Sequence, residues 1–197
     1  MKSKIRKSLA TQFLEIAINI NRRTKKMKYL TYLLISKTQY NIHSPYIFKL
    51  YCEIINASIS KKKIGIERPQ RSDKIIYKFA NTFQPTNVYI SSTSNTRTHT
   101  IINNALKNEH HIATPPLPLP SSIDMAIITS LEEWNTIKDK IHSKSIVIWQ
   151  KQHRNKNTEQ EYKTFKADNK VKVTIDMYYI AITLYLPRLH KEHYILR

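Results

Sequence analysis

Residues 87–106, NVYISSTSNTRTHTIINNAL, decide how the rest of the chain is read. They predict a strand over residues 87–92, a short polar turn, and a helix over residues 98–107. In an open α/β domain this unit holds the ligand, because the strand ends where the helix begins and the unpaired backbone N–H groups of the helix point at it. The turn contains no glycine.

Working outward, a helix is predicted over residues 73–83, with Ile75, Ile76, Phe79, Ala80 and Phe83 facing a core and Pro85 ending it. Downstream the pattern alternates. Strands are expected at 111–114, 123–129 and 145–150, with helices at 131–141 and near 158–167. Such alternation argues for a parallel sheet with helices on both faces. PPLPLPSS, residues 115–122, reads as an extended link, because proline fixes φ and removes donors. The apolar runs 171–186 and 193–197, joined by PRLHKE, suit an antiparallel pair closing the sheet's edge.

Upstream, Ile5, Leu9, Phe13, Ile16 and Ile20 recur at helical spacing. A second helix is expected over residues 28–37. Ser44 is a natural N-cap and Pro45 a natural first helical residue. The helix they open, residues 45–57, buries Ile47, Leu50, Tyr51, Ile54 and Ile55, with Cys52 among them. Residues 61–71 read as a charged loop broken by Gly65 and Pro69. The expected organisation is a helical extension over residues 1–70 and an α/β domain over residues 71–197.

Composition narrows the functions. The 197 residues suffice for one domain with a full core. There are 33 Lys and Arg against 14 Asp and Glu, a formal net charge of +19. That excess favours nucleic acid, anionic membrane or acidic partners, and the basic N-terminal helix is the candidate surface. Compositional drift toward Lys, Ile and Asn accounts for the charge equally well. The single cysteine excludes an internal disulfide and a cysteine metal site. His110-His111 and His190-x-x-His193 lack the Cys or Glu that would complete a metal site, so no metal is expected. Glu132, Glu133, Glu159 and Glu161 read as solvated helix faces; Asp124 and Asp176 are the acids to watch. No run approaches the roughly 20 apolar residues that span a bilayer, which points to the cytoplasm. One glycine, Gly65, stands against about 7% in a typical domain. Phosphate-cradling loops, dinucleotide turns and nucleophile elbows all need glycine, so none is present.

The segment YLTYLLISKTQYNIHSPYIFKLY, residues 29–51, with His43, Ser44, Pro45 and Tyr46, resembles the N-terminal segment of a bacterial family of class I S-adenosylmethionine-dependent methyltransferases. The ending VTIDMYYIAITLYLPRLHKEHYILR, residues 173–197, is similar to that family's closing strands, and IIYKFANTFQPTNV, residues 75–88, to the helix before its cofactor strand. The resemblance implies a Rossmann-like three-layer sheet, mostly parallel with an antiparallel C-terminal strand pair, plus N-terminal helices. It also implies S-adenosylmethionine as cofactor, held at Ser92, Thr93, Ser94, Thr96, Thr114 and Thr129. In the family, acids and glycines occupy several of these places. Here the acid of the first strand falls at Ile90, its two turn glycines at Ser92 and Thr96, the ribose-binding acid near Thr114, Asp-Gly at Thr129-Ser130, and paired aspartates at Trp149-Gln150.

The resemblance therefore implies a pseudoenzyme, a scaffold with a degraded cofactor site and no catalytic residue. A working methyltransferase using Thr93, Ser94 and main-chain groups is the second reading. A basic module for nucleic acid or anionic surfaces is the third.

Overall fold

The computed structural model describes residues 28–38, 42–94, 96–116, 118–150, 152–187 and 189–197. The chain divides into two compact units between Ser36 and Lys37. In the first, residues 28–35 are helical. The Tyr29 and Tyr32 rings stack at 6.2 Å. Ser36 ends the helix by donating its N–H to Tyr32 O (2.8 Å) and its hydroxyl to Leu33 O (2.9 Å). The amphipathic helix expected over residues 5–20, with its basic face, lies outside the described residues.

The second unit opens with α1, Pro45–Leu50, which continues as a π-helical turn, Tyr51–Ile55. Ser44 caps it as expected, its Oγ accepting from Ile47 N. Ile47, Leu50, Tyr51, Ile54 and Ile55 are all buried. Cys52, expected in that core, is exposed. It lies in the π-helical turn one residue beyond Tyr51, on a side of the helix that faces away from the buried stripe. The charged loop expected at 61–71 contains a short helix, α2 (Lys61–Ile64), which Gly65 ends in the left-handed conformation at φ 74°. Then come α3 (Arg71–Phe83), β1 (Asn87–Ile90), α4 (Thr96–Ala105), β2 (His111–Ala113), β3 (Ile123–Ile128) and α5 (Leu131–Ile137). The order closes with β4 (Ile141–Gln150), α6 (Lys156–Ala167), β5 (Val173–Asp176), β6 (Ile180–Leu184) and β7 (Glu192–Ile195).

These strands form a seven-stranded sheet in the order β2-β1-β3-β4-β6-β5-β7. β6 alone runs antiparallel to its neighbours. Side chains alternate between the two faces of a strand, and both faces are buried. Val88, Ile90, Met125, Ile127, Ile146 and Ile148 share one core with α1, α3 and α4. Tyr89, Ala126, Ile128, Val147 and Trp149 share the other with Trp134 and Ile137 of α5 and Tyr162 and Phe165 of α6. The fold is thus the expected three-layer, Rossmann-like α/β sandwich.

The antiparallel C-terminal pair is present, with a different turn. Residues 171–186 contain both of its strands, β5 and β6, which turn at Met177–Tyr179; β7 then returns parallel to β5 at the edge. No glycine or asparagine marks that turn. Tyr178 adopts φ 70° there, and its N–H donates to Asp176 Oδ1 at 2.8 Å. Gln84 plays a similar part after α3 at φ 44°. Its amide donates to Asn81 O and Ala105 O and accepts from Lys107 N, which ties the ends of α3 and α4 together. Side-chain hydrogen bonds hold positions that glycine usually occupies.

Within the second unit, residues 37–51 and the C-terminal segment, both parts of the resemblance, meet. The Tyr51 hydroxyl donates to Arg197 O at 3.1 Å, and Lys37 bridges Leu196 beyond β7.

Candidate functional site

β1 is flanked by β2 on one side and β3 on the other, so the chain reverses direction across the sheet there. In open α/β sheets the crevice at the carboxyl ends of two such strands is where ligands bind. Here the two turns that line it are bonded to each other. Ser91, buried just after β1, donates its N–H to Ile127 O (2.8 Å), and Ser94 N closes the turn on Ser91 O (2.9 Å). Thr93 Oγ1 lies 2.7 Å from Thr129 Oγ1, which follows β3. Ser91 Oγ lies 2.9 Å from the first hydroxyl and 3.2 Å from the second.

The network ends on a carboxylate. Glu133 Oε2 accepts from Thr129 N at 2.8 Å and from Thr129 Oγ1 at 3.3 Å. Since Thr129 Oγ1 donates there, its lone pairs face Ser91 and Thr93. Beneath it, burial and the charge of Glu133 push the Tyr89 phenol up to about 12. The Glu133 N–H in turn donates to Ser130 Oγ (3.3 Å) at the start of α5, and Glu161 Oε2 accepts from Leu131 N (3.1 Å). Glu133 and Glu161, expected on solvated faces, therefore hold the turn after β3. Ser130-x-x-Glu133 is the spacing of a capping box, a signal that was available in the sequence.

Of the predicted site residues, the fold brings Thr93 and Thr129 into hydrogen-bond contact and sets Ser94 in the same turn. Ser92 and Thr96 are exposed, and Thr114 is half-buried beyond β2. Ser94 Oγ is shielded from solvent with no partner among the described residues. Ile90 and Trp149, where the resemblance implies acids, belong to the two hydrophobic cores.

The resemblance implies a carboxylate for the ribose hydroxyls of S-adenosylmethionine and bare backbone beside its amino-acid portion. At the crevice Glu133 Oε2 accepts from Thr129 N, and a 2.7 Å hydroxyl contact joins the turns after β1 and β3.

A second polar cluster lies at the ends of β4 and β5. Asp176, 5% exposed, accepts from Gln152 Nε2 (3.1 Å) and Tyr178 N (2.8 Å), and its Oδ2 is 2.8 Å from His153 Nε2. The His153 ring stacks on Tyr178 at 5.2 Å. Asp176 was legible as an acid of interest; Gln152, His153 and Tyr178 were not, since 23 residues separate His153 from Asp176. The cluster holds the β5–β6 turn in its left-handed conformation. Asp124 sits at the opposite end of the sheet. Its Oδ2 accepts from Thr86 N (3.0 Å) and Asn87 N (2.8 Å), and its Oδ1 is 3.0 Å from His142 Nε2. That carboxylate anchors the start of β1. His193 Nδ1 is 2.7 Å from Thr174 Oγ1. Among the described residues no three His, Cys, Asp or Glu side chains converge as a metal site, and no helix is long and apolar enough to cross a membrane.

No family model matches the chain, and no curated protein sequence is similar to it. Solved structures with a similar arrangement include a methyltransferase from Geobacter sulfurreducens, at 10% identity and a TM-score of 0.48 over 83% of this chain and 96% of that one. The SAH-bound methyltransferase PaMTH1 of Podospora anserina is similar at 7% identity and a TM-score of 0.47, over 84% and 96%. The O-methyltransferase TomG of Streptomyces achromogenes, solved with SAM, is similar at 8% identity and a TM-score of 0.46, over 70% and 95%.

Proposed function

We propose that this chain is a divergent, shortened relative of the class I S-adenosylmethionine-dependent methyltransferases, in which the sheet persists as a scaffold and the methyl donor is no longer held. The reading starts from the resemblance of residues 29–51 and 173–197. One observation carries it further: the Ser91, Thr93 and Thr129 hydroxyls join the turns after β1 and β3, with Glu133 closing the network. Loss of the ribose carboxylate alone removes a charge-assisted hydrogen bond worth about 1.5–3 kcal/mol, or about tenfold to hundredfold in affinity. The alternative of a working enzyme needs the Thr93 hydroxyl for the cofactor, and that hydroxyl faces Thr129.

Isothermal titration of the full chain with S-adenosylmethionine tests the proposal. No saturable heat is expected up to about 1 mM ligand. Micromolar binding, or the donor lodged at Ser92–Thr96 in a soaked crystal, refutes it.

A further inference from the structure

We propose that the double groove between the π-helical turn and α3 binds the sugar-phosphate backbone of a single-stranded nucleic acid. It consists of two concavities of about 640 and 380 Å³, which share Ala57, Ser58, Ile59 and Lys78 in their walls. Lys63, Lys78 and Lys107 line the larger one, and Arg71, Lys74 and Lys78 the smaller. Glu53 is the one carboxylate among these lining residues, and it stands 3.9 Å from Lys49. Five cations thus line two joined concavities against this one carboxylate. Burial, then the charges of Lys74 and Arg71, draw the Lys78 ammonium below its usual range.

Lys78 is fixed where the grooves meet. Its Nζ donates to Ile55 O at 2.7 Å, a carbonyl at the end of the π-helical turn. π-Helical turns inside helices are frequent at functional sites. Here the turn shapes the wall, and Lys78, with two ammonium donors beyond the one given to Ile55 O, lines both concavities.

The chemistry selects the occupant. Cations on both sides of a saddle fit an elongated, repeating anion, and phosphodiesters carry one charge per nucleotide. A bilayer is excluded by shape and by chemistry. The cations line concavities, and none of the exposed large hydrophobic side chains among the described residues lines either groove. The tyrosine in the wall, Tyr77, is buried and offers no stacking face. The contact is therefore with the backbone, and sequence preference is weak. This site does not involve the β1–β3 crevice, so it stands or falls independently of methyl-donor binding.

The test is fluorescence anisotropy of the full chain with a labelled single-stranded RNA of about 20 nucleotides and mixed sequence, at several salt concentrations. Each phosphate contact contributes about −0.7 to the slope of log K against log salt, which is about fivefold between 1 M and 0.1 M. Lys63→Ala with Lys107→Ala should weaken binding about 25-fold at 0.1 M salt and flatten the slope by about 1.4. Adding Arg71→Ala and Lys74→Ala should weaken it further. Lys156→Ala with Lys163→Ala, on α6 in the opposite helical layer, should change affinity by less than about threefold. RNA should also protect Lys63 and Lys107 of the unaltered protein from acetylation, a measurement independent of variant folding. An unchanged slope in the groove variants, an equal loss in the α6 variant, or no protection overturns the proposal. So does inorganic tripolyphosphate binding as tightly as the RNA, which would assign the groove to small phosphate compounds.

Discussion

Replacing the single glycine, Gly65→Ala, should destabilise the protein by about 2–3 kcal/mol. Gly65 ends α2 at φ 74°, a region where an L side chain costs about 1–2 kcal/mol. A Cβ there would also stand 1.9 Å from Asn104 Nδ2. That amide donates to Ile64 O at 3.1 Å, so it must swing away and give up a hydrogen bond worth about 1 kcal/mol. The two contributions separate in a double-mutant cycle. In an Asn104→Ala background the hydrogen bond is already gone, and Gly65→Ala should cost only about 1–2 kcal/mol, a coupling of about 1 kcal/mol between the positions. Urea unfolding followed by far-UV circular dichroism reads both numbers. A cost below about 0.5 kcal/mol, or the same cost in both backgrounds, refutes the reasoning.

Trp134→Ala should cost about 3–5 kcal/mol in the same assay, because the fully buried indole packs edge-on to Phe165 at 4.9 Å and donates to Asp168 Oδ2 at 2.9 Å. Asp124→Asn tests the acid limb of stability. Burial by itself would raise the Asp124 carboxyl, but the Asn87 N–H, the His142 imidazole and the Thr86 N–H together hold it below 3.8. Its folded value lies below its unfolded one, so its stabilisation is present in full above that range and lost as pH falls through the folded value. The variant should be weaker by about 1–2 kcal/mol at neutral pH, and the gap should close as pH falls through the folded value; a gap that persists in acid would show that shape rather than charge matters there.

Where patterns are local, the chain was legible. The Ser44-Pro45 cap, the stripe Ile47, Leu50, Tyr51, Ile54 and Ile55, and the alternation of strands and helices after Asn87 follow from side chains within a few residues of one another. The same local reading misplaced the last turn. MYY carries no glycine or asparagine, so residues 171–186 read as one apolar run, whereas Asp176 and His153 hold Tyr178 in a left-handed conformation. Cys52 was misplaced for a comparable reason: apolar neighbours in sequence are not neighbours on a helix face.

At the crevice, the sequence by itself determined which atoms are missing, because absent glycines and carboxylates need no coordinates to be seen. How the residues present there meet was decided by tertiary structure. Thr93 and Thr129 are 36 residues apart and touch only because β3 returns to lie beside β1, with β2 placed on the far side. The joined grooves around Lys78 arise in the same way, from helices distant in sequence that pack on one face of the sheet. Hydrophobic alternation along a strand sets burial residue by residue, whereas strand order and helix packing set which polar groups meet, and no local pattern encodes that.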